Sequence, residues 1–281
     1  MEEHTNDVAT HYARDSLIQS ILDGLRADGK DLASLTIDDL QMVDEFHTRG
    51  RQTTTEVVAL TEFSPHHTVV DMGSGIGGPA RYIAHTIGCQ VSGIDLTTSF
   101  VATANKLSEL TGLTDLARFQ VASALDTPFD DDTFDRAVTI QMQMGIADKD
   151  AFYREVFRIL KPGGAFVFQD LVAGPNGGPL NTPTPWASEQ HHSHLYLPND
   201  LRKAIEASGL VNELWRDTTE EMKAWQGQQN ASPKTDGPRP ALGIHLVLGP
   251  TASEKRRNTQ RNLTEGRIGY VQAVFRKPAS S

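Results

Sequence analysis

The chain has 281 residues, 38% hydrophobic and 22% charged, a composition typical of a globular protein large enough to bury a full core. The 36 acidic residues outnumber the 26 basic ones, and the net charge of −10 argues against nucleic acid or an anionic membrane as a partner. The single cysteine excludes an intrachain disulfide framework. Because no signal sequence or 18-residue apolar run is readable, we expect a cytoplasmic protein.

Three helices are predicted before the first strand. Apolar side chains at helical spacing predict one helix over residues 5–28, and shorter helices follow over 37–44 and 52–60. We therefore expect residues 1–62 to form an N-terminal helical elaboration and residues 63–281 to form the main domain.

From residue 68 onward, short apolar runs alternate with helical segments. The predicted strands are 68–72, 90–94, 117–121, 134–140 and 164–169, and the helices between them are 78–86, 98–110 and 150–160. Strands joined through helical crossovers form a mainly parallel sheet. The sequence therefore predicts an α/β fold with a doubly wound sheet.

The C-terminal third begins with a loop, residues 171–197, whose four prolines and three glycines are typical of a functional lid. A helix over 199–208, a strand over 211–215, a loosely held segment over 228–240, a helix over 252–265 and a last strand over 267–275 follow. We expect a helical cap insertion at about 216–266.

A glycine-rich turn follows the first predicted strand. Residues Val69 to Gly78 read VVDMGSGIGG, so an apolar strand runs into glycines at alternating positions just before a helix. Glycine permits positive φ and leaves room for a ligand against the main chain. Ligands of open parallel sheets bind beyond the carboxyl ends of the strands, which is where this turn is expected.

Asp95 ends the next predicted strand, 24 positions after Asp71. A carboxylate there can accept hydrogen bonds from both hydroxyls of a ribose. Dinucleotide enzymes and methyltransferases that use S-adenosylmethionine share this arrangement. An acid two positions before the first glycine suits the ammonium group of S-adenosylmethionine and is poorly placed against a pyrophosphate, so Asp71 favours the methyltransferases.

Four motifs carry a family resemblance: VVDMGSGIGG, GIDLT, LDTPFDDDTFDRAV and RILKPGG occur in this order across residues 68–170. The chain thereby resembles the class I S-adenosylmethionine-dependent methyltransferases, in particular the small-molecule branch with glycine, sarcosine and dimethylglycine N-methyltransferases. The resemblance implies a Rossmann-like sheet of seven strands, with the last strand antiparallel between its neighbours.

The same resemblance implies a set of cofactor-binding residues at the ends of the strands. Gly73 and Gly75 would pass under the methionine part, Asp95 would hold the ribose, and Leu96 would cover the adenine. Where family members often have an Asp that accepts from the adenine amino group, this chain has Ser123, which lacks that charge. The full set is Asp71, Gly73, Gly75, Asp95, Leu96, Ser123, Ala124 and Gln141.

We expect the residues that bind the methyl acceptor to come from the N-terminal helices, the segment after the fourth strand, the loop 171–197 and the cap. The candidates for catalysis are His47, Gln143 and His192, and those for acceptor binding are Tyr12, Trp186 and His245. Trp186 offers an aromatic face to a methylated ammonium group. The acidic run at 130–132 is typical of a solvated turn, and we expect no metal site.

The leading hypothesis is methyl transfer from S-adenosyl-L-methionine to a small molecule, with an amine as the expected acceptor. An amine needs little acid–base catalysis, and neither a basic cluster for a phosphate nor an apolar surface for a prenyl tail is readable. O- or C-methylation of a phenol or quinone is the alternative. A nucleotide-dependent oxidoreductase and a non-catalytic protein with the same fold are the rivals from other classes.

Overall fold

The computed structural model describes residues 17–231 and 240–279. Seven strands form one sheet in the order β3-β2-β1-β4-β5-β7-β6. Their bounds are β1 Thr68–Met72, β2 Gln90–Asp95, β3 Ala117–Val121, β4 Phe134–Ile140, β5 Leu160–Ala173, β6 Val211–Asp217 and β7 Ile268–Arg276. The first five strands pair in parallel, whereas β7 runs antiparallel between β5 and β6. The predicted fold class and the place of the last strand are confirmed.

Helices cover both faces of the sheet, and most lie within two residues of their predicted bounds. They are α1 Leu17–Ala27, α2 Ile37–Asp44, α3 Arg51–Val58, α4 Gly78–Ile87, α5 Thr98–Leu110, α6 Lys149–Ile159, α7 Pro198–Ala207, α8 Thr219–Ala231, α9 His245–Leu248 and α10 Ala252–Thr264. Between β6 and β7 the chain forms α8, α9 and α10, where the cap insertion was predicted.

Alternation along the strands produces two apolar layers. Val69 packs with α3, α4 and α5 on one face, and its neighbour Val70 packs with α6 and α7 on the other. The last four residues of β1 are all buried, so the strand is covered on both faces. This burial fixes the carboxyl end of β1, from which the glycine-rich turn emerges.

Three predictions about individual segments need revision. Strand β5, Leu160–Ala173, is much longer than 164–169, because Leu160 pairs with Phe134 of β4 and residues 165–173 pair with β7. Residues 228–231, predicted to be loosely held, form the last turn of α8, while residues 232–239 lie outside the described residues. The predicted first helix is described only from Leu17 onward.

Candidate functional site

A cleft of about 900 Å³ opens beyond the carboxyl ends of β1 to β4. This volume is at the upper end of the range for small-molecule sites, so the cleft can hold two small ligands side by side. The segment before α3 and the loop 174–197 complete its walls. The predicted N-terminal helices and lid loop therefore both reach the site.

The glycine-rich turn forms the floor of the cleft. Gly73 and Gly75 adopt positive φ of 78° and 55°, which side chains other than glycine rarely adopt. The backbone N–H of Gly73 donates to the Ile94 carbonyl at 2.9 Å, and that of Gly75 donates to Asp95 Oδ2 at 2.9 Å. The end of β2 thus holds the turn in shape.

Asp71 lies buried at the start of this turn, with 2% of its surface exposed. Its Oδ2 has no hydrogen-bond partner among the described residues, and neither has the hydroxyl of the neighbouring Ser74. Burial and the nearby Asp95 carboxylate raise the pKa of Asp71 to about 7. A buried acceptor without a donor is costly, so this pair of atoms is suited to a cationic or hydrogen-bonding ligand.

Asp95 holds more of the main chain than the sequence indicates. Besides Gly75, its carboxylate accepts from the Thr97 N–H at 2.8 Å at the start of α5. Burial raises the pKa of Asp95, although both of these backbone donors oppose that effect. Each carboxylate oxygen keeps a second lone pair for a ribose hydroxyl.

The cleft is also lined by Leu96, Ser123 and Ala124, which are predicted to lie on the adenine side of the cofactor. The Ser123 hydroxyl already accepts from the Leu125 N–H at 3.1 Å. Asp126 lines the same region and was missed by the sequence reasoning. It supplies a carboxylate near the position where the family's acidic residue is replaced by Ser123.

These residues fit S-adenosyl-L-methionine. Its ammonium group suits the unpaired Asp71 carboxylate oxygen, its ribose suits Asp95, and its adenine suits the Leu96 side of the cleft. When bound, it supplies an electrophilic methyl group on a sulfonium. All eight predicted cofactor residues line the cleft. Four of them also accept hydrogen bonds from backbone N–H groups through their side chains: Asp71, Asp95, Ser123 and Gln141.

His47 lies in the segment before α3 and lines the cleft. Its side chain is 8% exposed, and burial lowers the pKa of the imidazole. Nε2 lies 3.3 Å from Thr54 Oγ1, whereas Nδ1 has no hydrogen-bond partner. Of the three predicted catalytic residues, His47 is the one that the cleft contains.

Gln141 follows β4 with a positive φ of 52°, a rare conformation for a residue with a side chain. Its Oε1 accepts from the Thr48 N–H at 3.0 Å, and its Nε2 has no partner among the described residues. The Asp170 carboxylate fixes the following segment by accepting from the Met142 and Gln143 backbone N–H groups.

The predicted catalytic role of Gln143 is not supported. Its side chain is 1% exposed and does not line the cleft. The amide donates to Thr139 Oγ1 at 2.9 Å and accepts from the Tyr153 hydroxyl at 2.7 Å. Both polar atoms are therefore used inside the core, beneath α6.

The other acceptor candidates separate into two groups. Trp186 lines the cleft although it is only 7% exposed, and its indole N–H donates to Ser193 Oγ at 2.9 Å. His192 instead contacts Ser188 Oγ through Nδ1, and His245 lies on α9; neither lines the cleft. Tyr12 lies outside the described residues.

Apolar side chains opposite the glycine-rich turn were missed by the sequence reasoning. They are Phe46, Met142, Met144, Ile146 and Pro185. Within residues 17–231 and 240–279, no group of three His, Cys, Asp or Glu side chains could hold a metal ion. Over the same ranges, no helix has both the length and the apolar composition to span a membrane.

Comparison with known proteins agrees with this geometry. Residues 70–168 match the family model of a methyltransferase domain. Residues 70–168 therefore form a methyltransferase domain of the class I S-adenosylmethionine-dependent type. The match covers β1 to most of β5, the segment that carries the glycine-rich turn, Asp95 and Gln141.

Two curated relatives of this methyltransferase have different acceptors in their names. Sterol methyltransferase-like 3 of Botryococcus braunii is 37% identical over 125 residues, which are 44% of this chain and 32% of that protein. Sarcosine/dimethylglycine N-methyltransferase of Halorhodospira halochloris is 27% identical over 180 residues, 64% of each chain. The matched segments span less than two thirds of both relatives.

A solved structure extends the similarity of the fold to nearly the whole chain. Geranyl diphosphate C-methyltransferase from Streptomyces coelicolor A3(2), in complex with Mg²⁺, geranyl-S-thiolodiphosphate and S-adenosyl-L-homocysteine, superposes with a TM-score of 0.70. It is 20% identical, and the match covers 98% of each chain. The similarity of the fold thus extends on both sides of the segment that the family model matches.

Proposed function

We propose that this methyltransferase transfers the methyl group of S-adenosyl-L-methionine to a small-molecule acceptor. The carrying observation is the unpaired Asp71 Oδ2 beside the positive-φ glycines, in a cleft with room for a second ligand. The methyltransferases named above act as a group on small molecules, which supports this proposal.

The experiment is a mass-spectrometric metabolite screen with purified protein and S-adenosylmethionine. We expect one metabolite to gain a methyl group while S-adenosylhomocysteine forms in equal amount. Asp71→Asn is the control variant that should form neither. Binding of S-adenosylmethionine without any product would instead support the non-catalytic reading, and a lack of binding would overturn the proposal.

The predicted amine acceptor remains a prediction, and the name of the Halorhodospira halochloris relative supports it. The Trp186 ring also suits a methylated ammonium, at roughly 0.5–2 kcal/mol for a cation on an aromatic face. One premise of the prediction does not hold, however, because the wall formed by Phe46, Met142 and Met144 is an extended apolar surface. The screen should therefore include sarcosine together with phenols and apolar alcohols.

A further inference from the structure

A chain of hydrogen bonds behind the cleft fixes the orientation and tautomer of His47. Thr54 Oγ1 lies 2.5 Å from Glu45 Oε2, and since a carboxylate only accepts, the hydroxyl donates its proton there. The Thr54 oxygen is then free to accept from His47 Nε2 at 3.3 Å. The hydrogen-bond chain therefore places the ring proton of His47 on Nε2 and the free lone pair on Nδ1.

The Glu45 carboxylate is itself fixed by burial and by an ion pair. It is 2% exposed, and its other carboxylate oxygen pairs with the Arg51 guanidinium. Glu45 and Arg51 are the charged groups that act on His47, the first raising and the second lowering its pKa. Burial is the largest effect and lowers that pKa, which favours the neutral ring, whereas a hydrogen bond with the Thr48 main chain raises the pKa.

Thr48, the residue after His47, orients the side-chain amide of Gln141. The Thr48 N–H donates to Gln141 Oε1 at 3.0 Å, which fixes the amide and leaves its Nε2 as a donor without a partner. Both His47 and Gln141 line the cleft. His47 Nδ1 and Gln141 Nε2 are both buried polar atoms without a partner among the described residues, and leaving such atoms unpaired is costly, which favours a ligand that pairs with them.

We propose that His47 Nδ1 and Gln141 Nε2 together receive a hydroxyl group of the acceptor, and that His47 is its general base. This inference rests on the proposed methyl transfer and assigns its acceptor class: a phenol or alcohol on an otherwise apolar molecule. A hydroxyl oxygen has two lone pairs, one to accept from Gln141 and one to attack carbon. A neutral amine has a single lone pair, for which the Gln141 N–H would compete.

The step balances in atoms and electrons. The acceptor O–H bond breaks and its proton moves to His47 Nδ1, while the oxygen forms a bond to the methyl carbon. The carbon–sulfur bond breaks with its electron pair remaining on sulfur, so a methyl ether and neutral S-adenosylhomocysteine result. The imidazolium shares its Nε2 proton with Thr54, and the Glu45 carboxylate behind it stabilises the positive charge.

The first test needs no acceptor. Nitrogen-15 NMR of the histidine side chains, in protein with S-adenosylhomocysteine at pH 7, should show a neutral His47 protonated on Nε2. Thr54→Val should yield a mixture of tautomers, whereas Thr55→Val, on the exposed side of the same helix, should leave the ring unchanged. A His47 that is charged, or protonated on Nδ1, overturns the inference.

The second test uses the acceptor that the metabolite screen identifies. His47→Asn should lower kcat by about 10²–10⁴-fold, the usual contribution of a general base, without changing the affinity for S-adenosylmethionine. Thr54→Val should lower kcat less and shift the acidic limb of the pH–rate profile. Methylation of sarcosine but of no phenol or alcohol, or a normal kcat in His47→Asn, contradicts the inference while leaving methyl transfer intact. Loss of donor binding in the wild-type protein would refute the proposed function itself.

Discussion

Asp71→Asn should stabilise the donor-free protein and abolish donor binding. Asp71 is buried, it lies near Asp95, and its Oδ2 has no partner among the described residues. These surroundings penalise the ionised carboxylate. The asparagine side chain keeps an oxygen for the backbone donor at Ala80 and carries no charge.

The magnitude follows from the pKa of Asp71, which burial and Asp95 raise from 3.8 to about 7. One pH unit corresponds to about 1.4 kcal/mol, so the ionised group costs up to about 4 kcal/mol above pH 7. Below pH 3.8 the carboxyl is protonated in both the folded and the unfolded state, and this cost vanishes. The free energy of unfolding contributed by Asp71 therefore falls as pH rises from about 4 to 7.

Urea denaturation at pH 5 and pH 8 measures this effect. We expect Asp71→Asn to raise the free energy of unfolding by roughly 2–4 kcal/mol at pH 8, allowing for local relaxation, and by less than half as much at pH 5. S-adenosylmethionine should raise the urea midpoint of the wild-type protein only. Asp135→Asn is the matched control: Asp135 pairs with Lys161 and its pKa is lowered, so the same replacement should destabilise. Equal destabilisation by both variants, or wild-type donor affinity in Asp71→Asn, would refute the reasoning.

Three further substitutions test the frame of the cleft. Asp95→Ala removes the acceptor of two backbone N–H groups, at roughly 1.5–3 kcal/mol for each bond to a charged group; calorimetry should show weaker S-adenosylmethionine binding and thermal unfolding a lower midpoint, whereas unchanged affinity would remove Asp95 from the donor site. Gly75→Val places a Cβ 2.8 Å from the Phe46 ring at a positive φ, so donor binding should be lost with a native circular dichroism spectrum; retained binding would show that the ligand avoids this turn. Arg81→Met leaves the buried Asp44 carboxylate without its cation, at a cost of about 3–5 kcal/mol in urea denaturation, and an unchanged midpoint would contradict that pairing.

The strands and most helices could be predicted because burial imposes a period on the sequence. Residues 69–72 of β1 are buried and are followed directly by glycines, which marks both the strand and its end in the sequence. Strand β5 was predicted too short because its N-terminal part contains Pro162 and Gly163, which usually interrupt a strand. The C-terminal part of β5 extends to Ala173 because it pairs with β7, which is distant in sequence.

The acceptor side of the site was less predictable, and Gln141 and Gln143 show why. Two residues apart in a strand, they would share one face. The chain leaves the strand at Gln141 in a left-handed conformation, so Gln141 reaches the cleft and Gln143 enters the core. The contact of His47 with Thr54 and Glu45 likewise depends on how the segment before α3 packs against that helix. Such packing leaves no periodic pattern in the sequence.

The glycine-rich turn is shared between two surfaces, and this limits how the protein can be recombined with its relatives. Gly73 and Gly75 face the cleft, whereas a side chain at Gly78 would overlap the Asp44 carbonyl oxygen at the end of α2. The end of the motif at Gly78 therefore packs against the N-terminal segment. A chimera that exchanges residues 17–60 to alter acceptor preference must therefore keep the backbone conformation that packs against Gly78. Otherwise the glycine-rich turn, and with it the cofactor site, will move.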